Sequence, residues 1–352
     1  MTDNSLQILA GVQARARIRE EGFHPGLFNS LLGASGGPKW FVLSRLDRML
    51  AGSFFADRQE PIACMGSSIG SWRHACYAQQ DPVAALIRLE QNYIHQRYSP
   101  KPDRYEVSRV ARESVDAILG AQSGLDIVNN PVWQTHILAV RSHRAVSSDS
   151  RIPLALGLGA SALANALTRR ALRGFFSRAL FYTGSAPAFA FTDFQPAAVP
   201  ISSENVRHAI LASGSIPLVM EGVSDIPGAP PGVYRDGGIT DYHFDFSFEY
   251  PEGLLLYPHF YGHITPGWYD KPWRRRRISG TPLNRTVMLA PTPEFVATLP
   301  YGKIPDRKDF ETLSADERIR YWTEVCDQSQ RLADDFFDAW QNGAVEQLIR
   351  PL

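Results

Sequence analysis

The feature that most constrains this chain is a supersecondary pattern that occurs twice before residue 80. The apolar stretch Leu27 to Leu32 runs into Gly33-Ala34-Ser35-Gly36-Gly37-Pro38-Lys39, after which Phe41, Val42, Leu46, Met49 and Leu50 recur at three- and four-residue spacing. That alternation reads as strand, glycine loop, helix. Pro38 suits the first helical turn, where a missing N–H leaves nothing unpaired. The second unit has the same plan: Pro61 to Met65 is a short strand, Gly66-Ser67-Ser68-Ile69-Gly70 a tight turn, and Ser71 to Gln79 a helix. Two such units in succession predict an α/β fold, a mostly parallel sheet with helices packed on it.

Helices dominate the next fifty residues. Asp81-Pro82 pairs an N-cap with a first-turn proline for a helix to about Tyr93, and Glu106 to Leu119 forms another, closed by Gly120. The region 81–130 therefore reads as a helical insertion. Thr135 to Val140 and Ala188 to Thr192 are expected to be the next strands, the second leading to a Ser202/Ser203 cap and a helix to about Ser213. Leu254 to Tyr257 and Val287 to Leu289 are late strand candidates. Ser314-x-x-Glu317 is a capping box opening one helix that carries Ile319, Trp322, Val325, Leu332, Phe336 and Trp340 at helical spacing. That helix is expected to lie in a covering region over about 260–352. At 352 residues the chain is read as a single domain with insertions, its motif-bearing core spanning about 27–241.

Composition removes several classes of function. The 36 basic residues balance the 36 acidic ones, and 44% of the chain is apolar, which argues against disorder and against coating a nucleic acid. Cys64, Cys76 and Cys326 lie far apart with no C-x-x-C, so neither a disulfide frame nor a cysteine zinc site is expected, and a reducing, cytoplasmic setting fits. Met1 to Glu20 holds no apolar signal-peptide core. The longest weakly polar run, Ile152 to Leu167, falls short of the roughly 20 residues that a bilayer span needs. No His-x-x-x-His or His-Glu-x-x-His spacing points to a metal, and no cofactor is expected.

The chemistry centres on Gly66-Ser67-Ser68-Ile69-Gly70, a G-x-S-x-G in which Ser68 would sit on a sharp strand-to-helix turn with Gly66 and Gly70 relieving crowding. Gly33-Ala34-Ser35-Gly36-Gly37 matches the same spelling. It reads better as an oxyanion loop, because Gly36 and Gly37 can turn backbone N–H groups towards a substrate oxygen at a helix start. A phosphate-binding P-loop is excluded, since Pro38 stands where glycine is required and Trp40 where Ser or Thr is required. Arg235-Asp236-Gly237-Gly238 supplies a carboxylate after a short extended segment; by itself a D-G-G is usually just a turn.

Taken in order, the loop ending Gly36-Gly37-Pro38-Lys39, then Gly66-x-Ser68-x-Gly70, then Ala212-Ser213-Gly214-Ser215-Ile216-Pro217, then Asp236-Gly237-Gly238 resembles the patatin-like phospholipase family. The resemblance covers about Leu27 to Asp241, and Ala34-Ser35 departs from the Asp-Gly common there in the family. It implies a three-layer α/β/α fold with a mostly parallel central sheet and a Ser-Asp dyad carried over to Ser68 and Asp236. It also implies oxyanion donors at Gly36 and Gly37, with Lys39 anchoring or electrically biasing the loop and Gly237 and Gly238 supporting the base. The activity it implies is cleavage of lipid or lysolipid carboxylic esters through an acyl-enzyme, with no metal or organic cofactor.

Two rivals stand beside this reading. His243, His259 or His263 could complete a Ser-His-Asp triad of the standard α/β-hydrolase order, whereas His74 on the helix after Ser68 reads as packed. Alternatively the fold could be a silent lipid-binding scaffold. A peripheral membrane contact has two candidate segments. One is the apolar stretch from Leu154 to Leu167 with its trailing Arg169, Arg170, Arg173, Phe175, Phe176 and Arg178, the alternative being a buried helix with a solvated basic end. The other is Lys271-Pro272-Trp273-Arg274-Arg275-Arg276-Arg277.

Overall fold

A computed structural model of the chain describes residues 4–352. Eleven strands form one sheet. In chain order they are β1 (Leu6–Ala10), β2 (Phe28–Gly33), β3 (Ile62–Ser67), β4 (Trp133–Ser142), β5 (Phe176–Tyr182), β6 (Ala197–Pro200), β7 (Val223–Ser224), β8 (Val233–Asp236), β9 (Leu254–Pro258), β10 (Thr286–Pro291) and β11 (Ile349–Pro351). The spatial order is β11-β1-β10-β9-β2-β3-β4-β5-β6, with β8 on β4 and β7 on β8. The central neighbours β10, β9, β2, β3 and β4 are all parallel. Strands β3, β9 and β10 are buried without a break, as strands covered by helices on both faces must be. The architecture is α/β/α in three layers.

The helices that bear on the site are α1 (Val12–Glu21), α2 (Ser44–Met49), α3 (Ile69–Tyr77), α4 (Pro82–Ile94), α5 (Arg104–Leu119), α6 (Leu125–Asn129), α7 (Arg151–Leu167) and α8 (Val206–Ser213). Asp81 caps α4 by accepting from the Ala84 N–H, and Asp103 caps α5 in the same way. With α6 these form the expected insertion between β3-α3 and β4.

One register decides where the chemistry sits. Strand β3 lies on one edge of β4 and ends with Ser67 opposite Leu138. Antiparallel β8 takes over the same edge at the next residue, with Asp236 opposite Ala139. Two strands running in opposite directions thus end head to head, and their last residues meet.

Several sequence expectations need correction. Ala188 to Thr192 contributes only the two-residue strand Ala190–Phe191, paired with Phe248–Glu249 outside the main sheet. The sheet instead uses β5 and β6. Phe176 and Arg178, read as the basic tail of an apolar helix, belong to β5, where Arg178 is buried with Asp241 at 2.8 Å, Asp193 at 2.8 Å and Asp245 at 3.3 Å. The single C-terminal helix is two, Ala315–Gln328 and Gln330–Gln341, broken at the buried Ser329, whose hydroxyl turns back to the Cys326 carbonyl. The capping box of Ser314 and Glu317 opens the first as expected. The 260–352 region supplies β10 and β11, with β1 between them, and its second long helix, Gln330–Gln341, packs against α2 and β1.

Helix α7 is not the wholly buried helix of one of the two readings: it keeps an exposed apolar face. Leu154, Gly157, Ser161 and Asn165 face inward, while Ile152, Leu156, Leu163 and Leu167 are 70–87% exposed. Arg276 donates to the carbonyls of Asn165 and Ala166 at the helix end, which brings the 271–277 segment against it. Among the described residues, no helix is long and apolar enough to cross a membrane.

Candidate active site

Ser68 comes directly after β3 and precedes the first residue of α3. Its backbone is left-handed, φ 55° and ψ −126°, a conformation that costs a non-glycine residue about 1–3 kcal/mol and persists only where the surroundings impose it. Those surroundings are identifiable. The Ser68 N–H donates to Ser213 Oγ at 2.9 Å, and Ser213 in turn donates to the Leu138 carbonyl of β4 at 2.6 Å. Gly70 lies against Gly33 so closely that a Cβ there would stand 1.9 Å from the Gly33 carbonyl oxygen, and a Cβ on Gly66 would stand 2.5 Å from Gly70 backbone. The turn is clamped from both sides.

The Ser68 hydroxyl donates to Asp236 Oδ2 at 2.8 Å. The other carboxylate oxygen accepts the Gly238 N–H at 2.7 Å, and the Asp236 N–H donates to the Ser215 carbonyl at 2.9 Å. Ser213 and Ser215 therefore hold the two halves of the pair from one short segment, a role that their motif alone does not define. Gly237 packs its backbone on Leu138, and Gly238 on Ser35. Burial pushes the Asp236 carboxyl above the ordinary range of an aspartate, opposed by Arg307, whose Nη2 lies 3.7 Å away, and by the bonds from Ser68 and Gly238.

The sign of the resulting pH dependence is fixed. A base must be ionised, so a raised carboxyl moves the acid limb of activity to higher pH than an ordinary aspartate would show. Removing Arg307 takes away the nearest charge opposing that rise. Arg307→Gln is expected to push the acid limb of a kcat/KM profile further up, with a larger loss of rate at pH 5 than at pH 8; an unmoved limb would show that Arg307 does not act on Asp236.

Gly36 and Gly37 lie across from the pair. Gly37 has φ 57°, which only glycine adopts cheaply, and neither N–H donates to another described backbone group. The loop is tied to the serine turn by Ser35, whose Oγ donates to Ser67 Oγ at 2.9 Å. The departure at Ala34-Ser35 is thus accommodated by a direct contact. Lys39 makes no ion pair: it has no carboxylate within 4.0 Å among the described residues, and its side chain faces a chamber beside Asp236. Anchoring falls instead to a buried cluster in which Asp47 accepts from Arg73 at 2.7 and 2.8 Å, Trp40 at 2.5 Å and Tyr77 at 3.0 Å. It fastens the glycine loop's helix to α3.

Two cavities meet at the pair. The larger, about 520 Å³, has Ser68 in its wall with Trp72, Tyr93, Val107, Met220 and Phe310, and its size is that of a small-molecule site. The smaller, about 190 Å³, has Asp236 in its wall. Arg307 and Ile216 line both.

The histidines lie elsewhere. His243 accepts the Thr265 N–H at Nδ1, and His259 bonds the Tyr261 backbone at Nδ1. Both are buried, their rings 4.3 Å apart, and burial pushes His259 down to about 3. His263 stacks on Tyr261, and His74 is buried with neither nitrogen bonded. No described histidine bonds Ser68 or Asp236. Among the described residues, no group of three or more His, Cys, Asp or Glu side chains could hold a metal.

A scan against protein-family models found no match for this chain, and a search of curated proteins found no significant one.

Proposed function

We propose that the chain is a serine acyl hydrolase of the patatin-like kind, cleaving lipid or lysolipid esters through Ser68 and Asp236. The observation that carries this reading is the 2.8 Å bond from a strained, turn-borne serine to a buried carboxylate with no imidazole attached to either. In the reaction, Ser68 Oγ attacks the ester carbonyl carbon while its proton passes to Asp236. The oxyanion is held by the free N–H groups of Gly36 and Gly37. The carbonyl reforms, the C–O bond to the alcohol breaks, and Asp236 returns the proton to the departing alkoxide. Water then adds to the acyl-enzyme, giving a proton to Asp236, and the acid leaves as Ser68 takes that proton back.

The lipid part of the proposal is supported by the apolar cavity beside Ser68 and by the outer surface. Four exposed aliphatic side chains make an apolar stripe on α7, and Arg276 ties the exposed basic segment 273–277 to the C-terminal end of that helix, a pairing suited to a lipid interface. Trp268 packs with the inner face of α7 and also lines the smaller cavity, which ties this helix to the site.

A fluorophosphonate probe tests the reading directly. It is expected to label wild type at Ser68 and to leave folded Ser68→Ala unlabelled; a folded wild type that resists the probe would favour a silent scaffold.

A further inference from the structure

Tyr93 brings a hydroxyl to the oxyanion loop from outside the motifs that carry the family resemblance. It belongs to α4, in the helical insertion, and its Oη lies 3.2 Å from the point where a side chain on Gly37 would begin. Arg307 Nε stands 3.4 Å from the same point. Tyr93, Gly37 and Ser68 share one cavity wall. The Tyr93 ring packs on both elements that leave the glycine loops. It meets Phe41, on the helical turns Gly37–Leu43, at 5.5 Å between ring centres, and Trp72, on α3, at 6.5 Å; Trp322 lies 6.2 Å away. A tyrosine packed in this way ordinarily gives its hydroxyl a partner. The Tyr93 hydroxyl has no hydrogen-bond partner among the described residues. Burial pushes its ionisation up to about 12, so it keeps a proton to donate throughout the range in which an esterase is assayed.

Distances decide what that free donor can reach. A Cβ lies about 2.5 Å from the nitrogen of its own residue, which places Tyr93 Oη within about 5.7 Å of the Gly37 nitrogen. Two hydrogen bonds of about 2.9 Å each let one acceptor bridge donors up to about 5.8 Å apart. The separation therefore allows a single oxygen to accept from the Gly37 N–H and from Tyr93 together. The loop itself is short of donors. The Ser35 N–H is taken by the Tyr242 carbonyl and the Lys39 N–H by that of Gly36, and Pro38 has none, which leaves Gly36 and Gly37 for an oxygen with three lone pairs.

We infer that the Tyr93 hydroxyl is a third donor to the oxyanion formed on the ester carbonyl oxygen, supplied by the inserted helix α4 rather than by the glycine loop. The inference rests on the acyl-hydrolase reading and adds one residue to its machinery. Such a bond strengthens as charge develops on the oxygen, so its loss falls on kcat rather than on KM.

Tyr93→Phe removes the oxygen and keeps the ring. With p-nitrophenyl butyrate it is expected to lower kcat about 100-fold, the lower end of what one oxyanion donor contributes, with KM within about threefold of wild type, an unshifted pH profile and an unchanged Tm. Nonyl trifluoromethyl ketone gives a second readout. Ser68 Oγ adds to its carbonyl carbon, the serine proton passes to Asp236, and the carbonyl oxygen becomes an anion in the same place. Tyr93→Phe is expected to weaken this inhibitor by a factor that matches the loss in kcat, a correspondence that a merely structural role would not produce. A kcat within about fivefold of wild type, or a loss in kcat with inhibitor affinity intact, overturns the inference and leaves the acyl-hydrolase reading standing. A folded wild type that neither turns over the ester nor binds the ketone removes that reading, and the third donor with it.

Discussion

Replacing Asp236 with Asn is expected to lower kcat for a short-chain p-nitrophenyl ester by about 100- to 10,000-fold, the range over which a general base contributes. The substitution preserves volume but not chemistry. Asp236 accepts two hydrogen bonds, from Ser68 Oγ and from the Gly238 N–H, one on each oxygen. Asparagine has one oxygen for those two duties. If it keeps the Gly238 bond, its NH₂ faces the serine and donates where the carboxylate accepted, so the hydroxyl has nowhere to send its proton. Ser68→Ala is expected to fall at least as far. His243→Gln, His259→Gln and His263→Gln are the controls. A folded histidine variant losing activity to the same degree while Asp236→Asn kept a tenth or more of the wild-type rate would replace the dyad with a triad.

The second large effect concerns one glycine in a helix. Alanine normally favours a helix over glycine by about 1 kcal/mol. At Gly70 in α3 the added methyl would lie 1.9 Å from the Gly33 carbonyl oxygen and 2.2 Å from its carbon, and these are backbone atoms of a central strand that cannot step aside. Gly70→Ala is expected to cost more than about 4 kcal/mol, beyond the usual range for a point change, and to appear as insoluble protein or a Tm lowered by roughly 8 °C or more. Gly159 in α7 is the matched control, because a methyl there meets nothing within 4 Å. Gly159→Ala is expected to stabilise by up to about 1 kcal/mol, in line with helix preference alone. Equal melting temperatures for the two variants would show that the close approach of α3 to β2 is not what holds the serine turn.

These residues also show how much a reader of the sequence could see. Ser68, Asp236 and the two glycine loops were legible because each sits at a junction where only certain residue types fit, and the spelling records that local demand. Gly70 was legible as a turn glycine, but its actual constraint is contact with Gly33, 37 positions earlier. The head-to-head ending of β3 and β8 on β4 was invisible, since register between strands leaves no local mark. Arg307 was invisible for the same reason: its neighbours in the sequence are ordinary surface charges, and only the fold carries it to Asp236. Strand β5 was misread because its Arg178 looks like a solvated charge, when three aspartates from elsewhere in the chain make it a buried one. Charge patterns mislead wherever the compensating partner is distant.

The apolar cavity has a divided origin. Ser68, on a turn fixed by the sheet, lies in its wall, whereas Tyr93, Val107 and Ala111, also in its wall, come from α4 and α5, the helices spliced in between β3-α3 and β4. On the acyl-hydrolase reading proposed above, bond-breaking and the gauge for chain length would therefore be separate parts of one protein, meeting at Tyr93. Mutational drift in the spliced helices can lengthen, shorten or reshape the slot while the hydroxyl, its acceptor and their backbone supports stay where they are, so a scaffold of this design can change its diet without relearning its chemistry.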